Sequence, residues 1–461
     1  MTISSLAALV RAGGVSASEL ALRSLKRIEE RNPGLNAVVT TCAEAALDEA
    51  TRADASDRHR GALAGLPLLV KDTEDVAGLP TTHGSVVGAG AAPAAEDSLA
   101  VARLRAAGAI VVGKTNVPEF AFEGYTHNPL FGATTNPWMP DWSPGGSSGG
   151  SAAAIVAGMA PLATGTDGGG SIRIPAAFCG LAGLKPTNGL IGRSPVPSWI
   201  DLSTSGPLAT TVTDLALLLE VLKGPVSGDP SAHPAWSPRM GVWPRRALVA
   251  ERLGKDGRLP RGLATTFGAA LLLFSRATGL TPEPADLAPV FAAGDPDEDW
   301  FTIAAVEKLH AFGRDRLDAH RDELSPVFRT IMETASRVDI DTYLDAKRRR
   351  FAYVRALDDL LGRDTVLLSP TMCVEGYLAD GRMPGADRAG TPAEAYNTQL
   401  ANMTGHPALS VPGGMSSNGL PFGLQIMGPR FADDLVMAVG ATWEAAAPWP
   451  AVAPGYQPFE V

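Results

Sequence analysis

The chain has 461 residues, 45% of them hydrophobic, and a formal net charge of −10 from 39 basic and 49 acidic side chains. This composition is typical of a globular protein with a large buried core. The acidic balance argues against nucleic acid as the main ligand, since no basic block offsets it. No apolar run reaches about 18 residues, so no membrane span is predicted. The apolar residues 6–10 are too few for a signal peptide, and we expect a soluble, cytoplasmic protein.

The cysteines and a run of three arginines are considered as possible disulfide, metal-binding or charged surface sites. Cys42, Cys179 and Cys373 are odd in number and widely spaced, which predicts neither a disulfide framework nor a zinc site. No cluster of histidine, cysteine and carboxylate residues has the spacing of metal ligands. We therefore expect no metal. The three consecutive arginines at 348–350 are interpreted as a solvent-exposed helix face.

The first strong signal of secondary structure is a capping box formed by Ser16 and Glu19. It opens a helix that ends before the Asn-Pro pair at 32–33, with Leu22, Leu25 and Ile28 on its apolar side. An Ala-rich helix over about 42–55 follows. The chain is therefore predicted to begin with N-terminal helices over about 1–60.

Strand and helix signals alternate next. The apolar strand GLPLLVK, residues 65–71, ends at Lys71. A helix over about 98–107 is ended by Gly108, and a β-branched strand covers 109–112. This order predicts a sheet with helical cover. Residues 108–115, GAIVVGKT, also match the phosphate-binding loop pattern. That loop must follow a strand and open a helix, whereas here its variable residues are the strand itself, so we reject nucleotide binding.

The remaining chain offers no clean domain boundary. Residues 116–142 are rich in Pro, Gly and aromatic side chains. They suit a pocket wall or packing under a surface loop, and it stays open whether this segment, His83 or His127 lines a pocket. A helix over 212–222 precedes a variable lobe over about 226–364, and a short apolar strand is predicted at 366–371. We expect a single domain over 1–461.

Two glycine-rich turns lie within residues 143–186. The first, GGSSGG at 145–150, contains Ser147 and Ser148, and the second, TDGGGS at 166–171, ends at Ser171. Three consecutive glycines leave their N–H groups unshielded, and a tight turn can aim several of them at a developing oxyanion. A serine beside such donors is a candidate nucleophile.

This stretch resembles the signature of the amidase signature family, which reads roughly GGSSGGSAAA, then GTDTGGSIR and PAAFCGL. The resemblance extends to about residue 450 and is weakest over about 226–364. Its clearest departure is Gly168, where the family usually has a larger residue. The resemblance implies an α/β fold, with one large α/β/α domain whose mixed, twisted central sheet is covered by helices on both faces. It also favours a homodimer.

A Ser–Ser–Lys triad is what the resemblance implies for catalysis. Ser171 matches the nucleophile, Ser147 the bridging serine 24 positions earlier, and Lys71 the base. Ala121 aligns with an acyl-contacting methionine of the fatty-acid-amide branch, and its small size leaves the acyl preference open. Ala121 and Ser147 are expected to contact the substrate. The positions that match the oxyanion hole are Gly168, Gly169, Gly170 and Ser171.

A lysine acts as a base only when it is neutral, and its ordinary pKa is about 10.4. The apolar residues before Lys71 predict burial, which lowers that pKa. A carboxylate facing the amine would oppose this, so we expect Asp72 to point elsewhere. Asp167 and Arg173, which flank the nucleophile turn, are expected to brace it. None of the seven histidines has a triad context.

The expected function is hydrolysis of a linear carboxylic amide to an acid and ammonia or an amine, through an acyl-enzyme on Ser171. No metal, cofactor, nucleic acid or membrane is implied, and the partner is a small-molecule amide. One alternative is the glutamine-hydrolysing subunit of a tRNA-dependent amidotransferase, which would carry an acidic residue where this chain has Ala395. A non-catalytic binding protein on the same fold is disfavoured, because all three triad residues are present. Aliphatic, aryl, peptide-terminal and urea-derived amides all stay open.

Overall fold

The computed structural model describes residues 1–56, 61–233, 243–253, 258–390 and 395–461. The helices are α1 (Ile3–Arg11), α2 (Ala17–Arg31), α3 (Ala43–Asp54), α4 (Leu99–Ala106), α5 (Gly149–Val156), α6 (Arg173–Cys179), α7 (Val212–Leu222), α8 (Arg261–Thr278), α9 (Ala288–Phe291), α10 (Pro296–Phe312), α11 (Arg314–Ala319), α12 (Pro326–Ala335), α13 (Ile340–Leu361), α14 (Gln399–Thr404) and α15 (Asp433–Ala446).

The strands are β1 (Val38–Thr41), β2 (Pro67–Lys71), β3 (Ile110–Thr115), β4 (His127–Asn128), β5 (Gly132–Ala133), β6 (Leu162–Ala163), β7 (Gly165–Asp167), β8 (Ala182–Lys185), β9 (Thr204–Gly206), β10 (Leu208–Ala209), β11 (Arg246–Val249), β12 (Glu283–Pro284), β13 (Thr365–Pro370), β14 (Ala408–Met415) and β15 (Pro421–Met427).

Two mixed sheets form the centre of the described chain. The smaller has the order β1-β3-β2-β6, in which β2 runs parallel to β3 and β6 while β1 is antiparallel. The larger has the order β10-β8-β14-β15-β13-β11-β12, in which only the β13, β11 and β12 pairings are parallel. The predicted mixed α/β architecture is confirmed. Residues 110–115 are a strand, as the rejection of a phosphate loop requires.

Helices cover the larger sheet on both faces. Leu409 of β14 packs with α8 and α15 in one apolar cluster. On the other face, α6 lies so close that a Cβ on Gly183 would be 2.7 Å from the Ala176 Cβ. A Cβ on Gly423 would be 2.4 Å from the Ala177 Cβ. Because only glycine permits this approach, the two glycines fix α6, and the turn that precedes it, against the sheet.

The capping box is confirmed, since the Glu19 N–H donates to Ser16 Oγ at 3.1 Å and the Ser16 N–H donates to Glu19 Oε2 at 2.8 Å. The predicted apolar side of α2 is wrong at Leu22, which is 59% exposed. The buried stripe instead runs through Leu20, Ala21, Ser24 and Ile28. Ser24 belongs to it because its hydroxyl donates to the Met159 carbonyl, so a polar residue lies on the buried face.

The interpretation of the arginine run as a solvent-exposed face is also wrong in part. Arg348 is exposed, but Arg349 pairs with the buried Asp299 at 2.6 Å, and Arg350 donates to the Met403 carbonyl at 2.6 Å. Two of the three arginines therefore hold α13 against its neighbours. No helix in the described ranges is long and apolar enough to cross a membrane.

The predicted variable lobe contains β11, which pairs with β13 in the larger sheet. Part of that range is therefore built into the main sheet. Residues 234–242 and 254–257 of the lobe lie outside the described residues. The single-domain organisation and the boundaries of the lobe stay predictions.

Candidate active site

Lys71 is the last residue of β2 and is completely buried. Its Nζ lies within hydrogen-bond distance of three hydroxyl oxygens: Ser147 Oγ at 2.8 Å, Ser148 Oγ at 2.9 Å and Thr166 Oγ1 at 2.8 Å. An ammonium would donate to all three, whereas a neutral amine donates to two and accepts from one. The geometry therefore allows a serine hydroxyl to donate its proton to Lys71.

Burial disfavours the ammonium form and lowers the pKa of Lys71 to about 7, although the carboxylates of Glu74 and Asp167 act in the opposite direction. Near neutral pH, a substantial fraction of Lys71 is therefore the free amine. This is the protonation state that general-base catalysis requires.

Asp72 points away from Lys71, as predicted. Its Oδ1 is 2.9 Å from Lys114 Nζ, and its carboxylate accepts hydrogen bonds from the N–H and the hydroxyl of Thr82. Lys114, the lysine of the phosphate-loop match, also donates to the Pro80 carbonyl and to Thr81 Oγ1. These contacts give Lys114 a structural role in the described chain, so Asp72 stabilises Lys114 and not the ammonium of Lys71.

Ser147 and Ser148 both contact Lys71 but differ in where they lie. Ser147 and Ser171 both line the cavity described below. Ser148 is fully buried and does not line this cavity, and its Oγ is 3.4 Å from the Thr166 carbonyl oxygen. Within the described residues no hydrogen bond joins the Ser147 and Ser171 hydroxyls. The structure thus brings Lys71 and Ser147 into contact and places Ser171 in the same cavity wall.

The nucleophile turn is held by side chains from distant parts of the chain. The Trp300 indole N–H donates to the Gly168 carbonyl at 2.7 Å, and the Thr398 hydroxyl donates to the Gly169 carbonyl at 2.6 Å. The Gly170 N–H donates to Asp167 Oδ1 at 2.7 Å. No acceptor in the described residues takes the N–H groups of Gly168, Gly169 and Ser171. Of the four predicted oxyanion donors, Gly170 is therefore already engaged with Asp167. The N–H groups of the other three remain as candidates.

Asp167 and Arg173 form a completely buried ion pair below this turn, with 2.9 Å between Arg173 Nε and Asp167 Oδ2. Asp167 also accepts from the side chain of Asn402, and Arg173 donates to the Thr398 carbonyl and to Gln425. Burial opposes ionisation of Asp167, but the charge and hydrogen bonds of Arg173 and the bond from Asn402 outweigh it and lower its pKa to about 2. The pair braces the turn, as predicted.

Substitution of Arg173 by methionine should destabilise the protein by about 3–5 kcal/mol, because it leaves the Asp167 carboxylate buried and uncompensated. Urea unfolding measures this, with Arg348→Met as the matched control. Arg348 pairs with Asp345 on the surface, and its loss should cost about 1 kcal/mol or less. The effect of Arg173→Met should persist above about pH 4 and shrink as the pH falls toward 2, where folded Asp167 becomes protonated. Equal losses in the two variants would contradict the brace.

A cavity of about 340 Å³ opens over Ser147 and Ser171. Ala121 lines it, as expected for a substrate-contacting position, and so does His83, whereas His127 lies outside it. Burial is the main cause that lowers the pKa of His83 to about 4, so this imidazole is neutral near pH 7. Further lining residues are Thr73, Asp75, Phe120, Thr166, Gly168, Trp199, Lys308, Phe312 and Arg316.

The glycine at position 168 is explained by Trp199. A Cβ on residue 168 would lie 2.2 Å from Trp199 Cε3, which is closer than two carbon atoms can approach. The indole thus occupies the space where the larger residue of the resembling sequences would extend. With Trp199 in this position, only glycine fits at residue 168.

Sequence reasoning missed several residues of the site. Thr166 contacts Lys71 and lies within the quoted motif, so its hydroxyl could have been considered. Trp300, Thr398 and Lys308 gave no local signal, because they reach the site from more than a hundred positions away. Among the described residues, no group of three or more His, Cys, Asp or Glu side chains is placed to hold a metal ion.

Comparisons with known proteins agree with this geometry. The amidase family model matches residues 19–253 and 309–437. The chain is 33% identical to an acylamidase of Rhodococcus erythropolis, with 97% of this chain and 96% of that protein aligned. It is 35% identical to a subunit of the glutamyl-tRNA(Gln) amidotransferase of a Synechococcus species, with 97% and 96% aligned. The crystal structure of a bacterial aryl acylamidase of the amidase signature family superimposes with a TM-score of 0.88 at 28% identity, covering 97% of this chain and 96% of that one.

The chain therefore belongs to the amidase signature family. It is an amidohydrolase, an enzyme that hydrolyses carboxylic amides. Its relatives include both an acylamidase and an amidotransferase subunit, so only the geometry of the site can favour one of these two activities over the other.

Proposed function

We propose that this enzyme hydrolyses linear carboxylic amides through an acyl-enzyme on Ser171, with Ser147 as the proton bridge and Lys71 as the base. The observation that carries the proposal is the 2.8 Å contact between Lys71 Nζ and Ser147 Oγ at the wall of the cavity that Ser171 lines. A buried amine with a pKa of about 7 supports the base role. An amide is a poor electrophile, so it needs both an activated nucleophile and an oxyanion site.

The reaction then proceeds in two halves. Ser171 Oγ attacks the amide carbonyl while its proton passes to Ser147 and the proton of Ser147 passes to Lys71. The N–H groups of Gly168, Gly169 and Ser171 stabilise the oxyanion. Lys71 returns a proton through Ser147 to the nitrogen as the C–N bond breaks, which releases ammonia or an amine. Water attacks the ester on Ser171 with the same base, and the acid leaves.

The amidotransferase alternative receives little support from this site. Ala395 is completely buried in an apolar cluster with Tyr125, Phe178 and Tyr377. A substrate ammonium placed there would have no carboxylate from residue 395 to pair with. A non-catalytic binding protein would not need a buried lysine with a lowered pKa against two serines. The cytoplasmic location and the homodimer stay predictions.

A fluorophosphonate should label Ser171, because the N–H groups beside it stabilise a tetrahedral adduct. Intact mass and peptide mapping measure the label, and Ser171→Ala should remain unmodified. Ser148→Ala should still be labelled, which controls for changes in this loop. Modification of Ser147 or Ser148 in the wild-type protein, with Ser171 untouched, would contradict the assignment of the nucleophile.

A further inference from the structure

Lys308, near the end of α10, brings a positive charge into the wall of the catalytic cavity. Its Nζ lies 2.7 Å from Ser198 Oγ and 4.9 Å from the centre of the Trp199 ring. No carboxylate of the described residues lies within ion-pair distance of it. An ammonium has three N–H donors, and Ser198 takes one of them. Two donors are therefore left for a bound molecule.

The charges around Lys308 leave the cavity positive. Arg316 contributes a second cation, stacked at 5.0 Å on Phe312, and it too has no carboxylate partner among the described residues. Asp75 is the one carboxylate among the lining residues, and it accepts a hydrogen bond from Thr81. His83 and much of Lys71 are neutral near pH 7. Two cations thus face one anion in the cavity of a protein whose net charge is −10.

The charge of Lys308 also reaches the reacting end of the cavity. It is one of the causes that lower the pKa of Lys71 and of His83. Lys308 and Ser171 line the same cavity of about 340 Å³, which is the size of a site for one small molecule. The cation–π contact with Trp199 keeps the ammonium directed along this wall.

We propose that Lys308 binds a carboxylate of the substrate, so that the preferred substrates are amides carrying a second, ionised carboxyl group. The inference rests on the proposed function of Ser171 and names the substrate class for that site. A carboxylate would accept the two unused N–H donors of Lys308 as charge-assisted hydrogen bonds.

The pH dependence gives the proposal a distinctive signature. Burial lowers the pKa of Lys308 to about 8, so the free enzyme loses this charge as the pH rises through that value. Lys71 must be neutral, and its pKa is about 7. For a carboxylated amide, kcat/KM should therefore rise through about 7 and fall above about 8. For an uncharged amide, it should rise and then stay level.

The experiment measures ammonia release from the monoamides of succinic, glutaric and adipic acid. Each is compared with the alkanamide in which a methyl group replaces the carboxylate. The wild-type enzyme should prefer at least one acid over its partner by about tenfold or more in kcat/KM. Lys308→Met should abolish that preference, because it should lower kcat/KM for the acids about tenfold more than for their alkanamide partners. Lys308→Arg should keep most of the preference.

Arg314→Met is the matched control, since Arg314 is an exposed cation on the adjoining α11 and donates to the Ser336 carbonyl. It should retain the wild-type preference. If the wild-type enzyme hydrolyses the alkanamides and prefers none of the acids, the inference is wrong while the proposed function stands. If Lys308→Met slows acids and alkanamides equally and shifts the acidic limb, Lys308 acts through Lys71, and the inference is again wrong. Failure of Ser171 to accept a fluorophosphonate would instead overturn the proposed function.

Discussion

Lys71→Arg should lower kcat/KM by about 10⁴-fold or more, nearly as much as Lys71→Met, although arginine keeps the positive charge. A guanidinium does not release its proton in the working pH range, so neither serine would be activated. Residues that act as one unit in catalysis lose most of the rate enhancement when any member is removed. Steady-state amide hydrolysis measures the effect, and thermal unfolding verifies that the variants are folded.

The wild-type pH profile for uncharged amides adds an independent test. Its acidic limb should lie near the Lys71 pKa of about 7, with activity rising as the lysine loses its proton. His83 is the histidine of the cavity, and its pKa is lowered to about 4. His83→Asn should therefore leave the limb in place. A Lys71→Arg enzyme that kept a tenth of wild-type activity would show that Lys71 supplies only charge.

Ser147→Ala should lower kcat by about 10³-fold, whereas Ser148→Ala should lower it by about tenfold or less. The two hydroxyls lie at nearly the same distance from Lys71 Nζ, 2.8 and 2.9 Å. Their distances to Lys71 therefore do not show which serine is the proton bridge, but their positions relative to the cavity differ. Of the two serines, Ser147 lines the cavity with Ser171 and Ser148 does not, so we expect the hydroxyl of Ser147 to receive the proton of the nucleophile.

Single-turnover acylation with an activated ester would locate the loss in the proton-transfer step. Ser148→Ala removes one hydrogen bond to Lys71 without interrupting the route from Ser171. If both alanine variants lost activity to the same extent, both hydroxyls would be needed to relay the proton between Ser171 and Lys71. If Ser148→Ala were the more damaging variant, the bridge would have to be reassigned to Ser148.

The parts of the fold that could be predicted from the sequence are those that depend on residues close together in the chain. The capping box at Ser16 and the strand ending at Lys71 depend on residues a few positions apart, and the structure has both. The sheet with helical cover and the direction of Asp72 also followed from local order and alternation, whereas the mixed character of the sheet followed from the family resemblance. Leu22 was assigned to the wrong side of α2 because the buried side includes a polar residue, Ser24. The hydrogen bond that allows Ser24 to be buried is to Met159, 135 positions away, and gives no local signal.

The candidate site shows the same division. Lys71, Ser147 and Ser171 stand in recognisable motifs, so they could be named from the sequence. The supports of the nucleophile turn could not, because Trp300 and Thr398 meet the glycines from 132 and 229 positions away. The electrostatics of the cavity depend on Lys308 in the least family-like region. Even the choice among the oxyanion donors required the bond from Gly170 to Asp167.

The close fit of Trp199 against Gly168 couples these two positions in evolution and in enzyme engineering. A larger residue at 168 has no room until Trp199 has been replaced by a smaller one. Replacing Trp199 first would open the cavity wall and remove the aromatic ring over which Lys308 lies. We therefore expect each single change to disturb the cavity wall and the paired change to be tolerated better. The two residues form an epistatic unit, and a search for variants with altered substrate range should mutate them together.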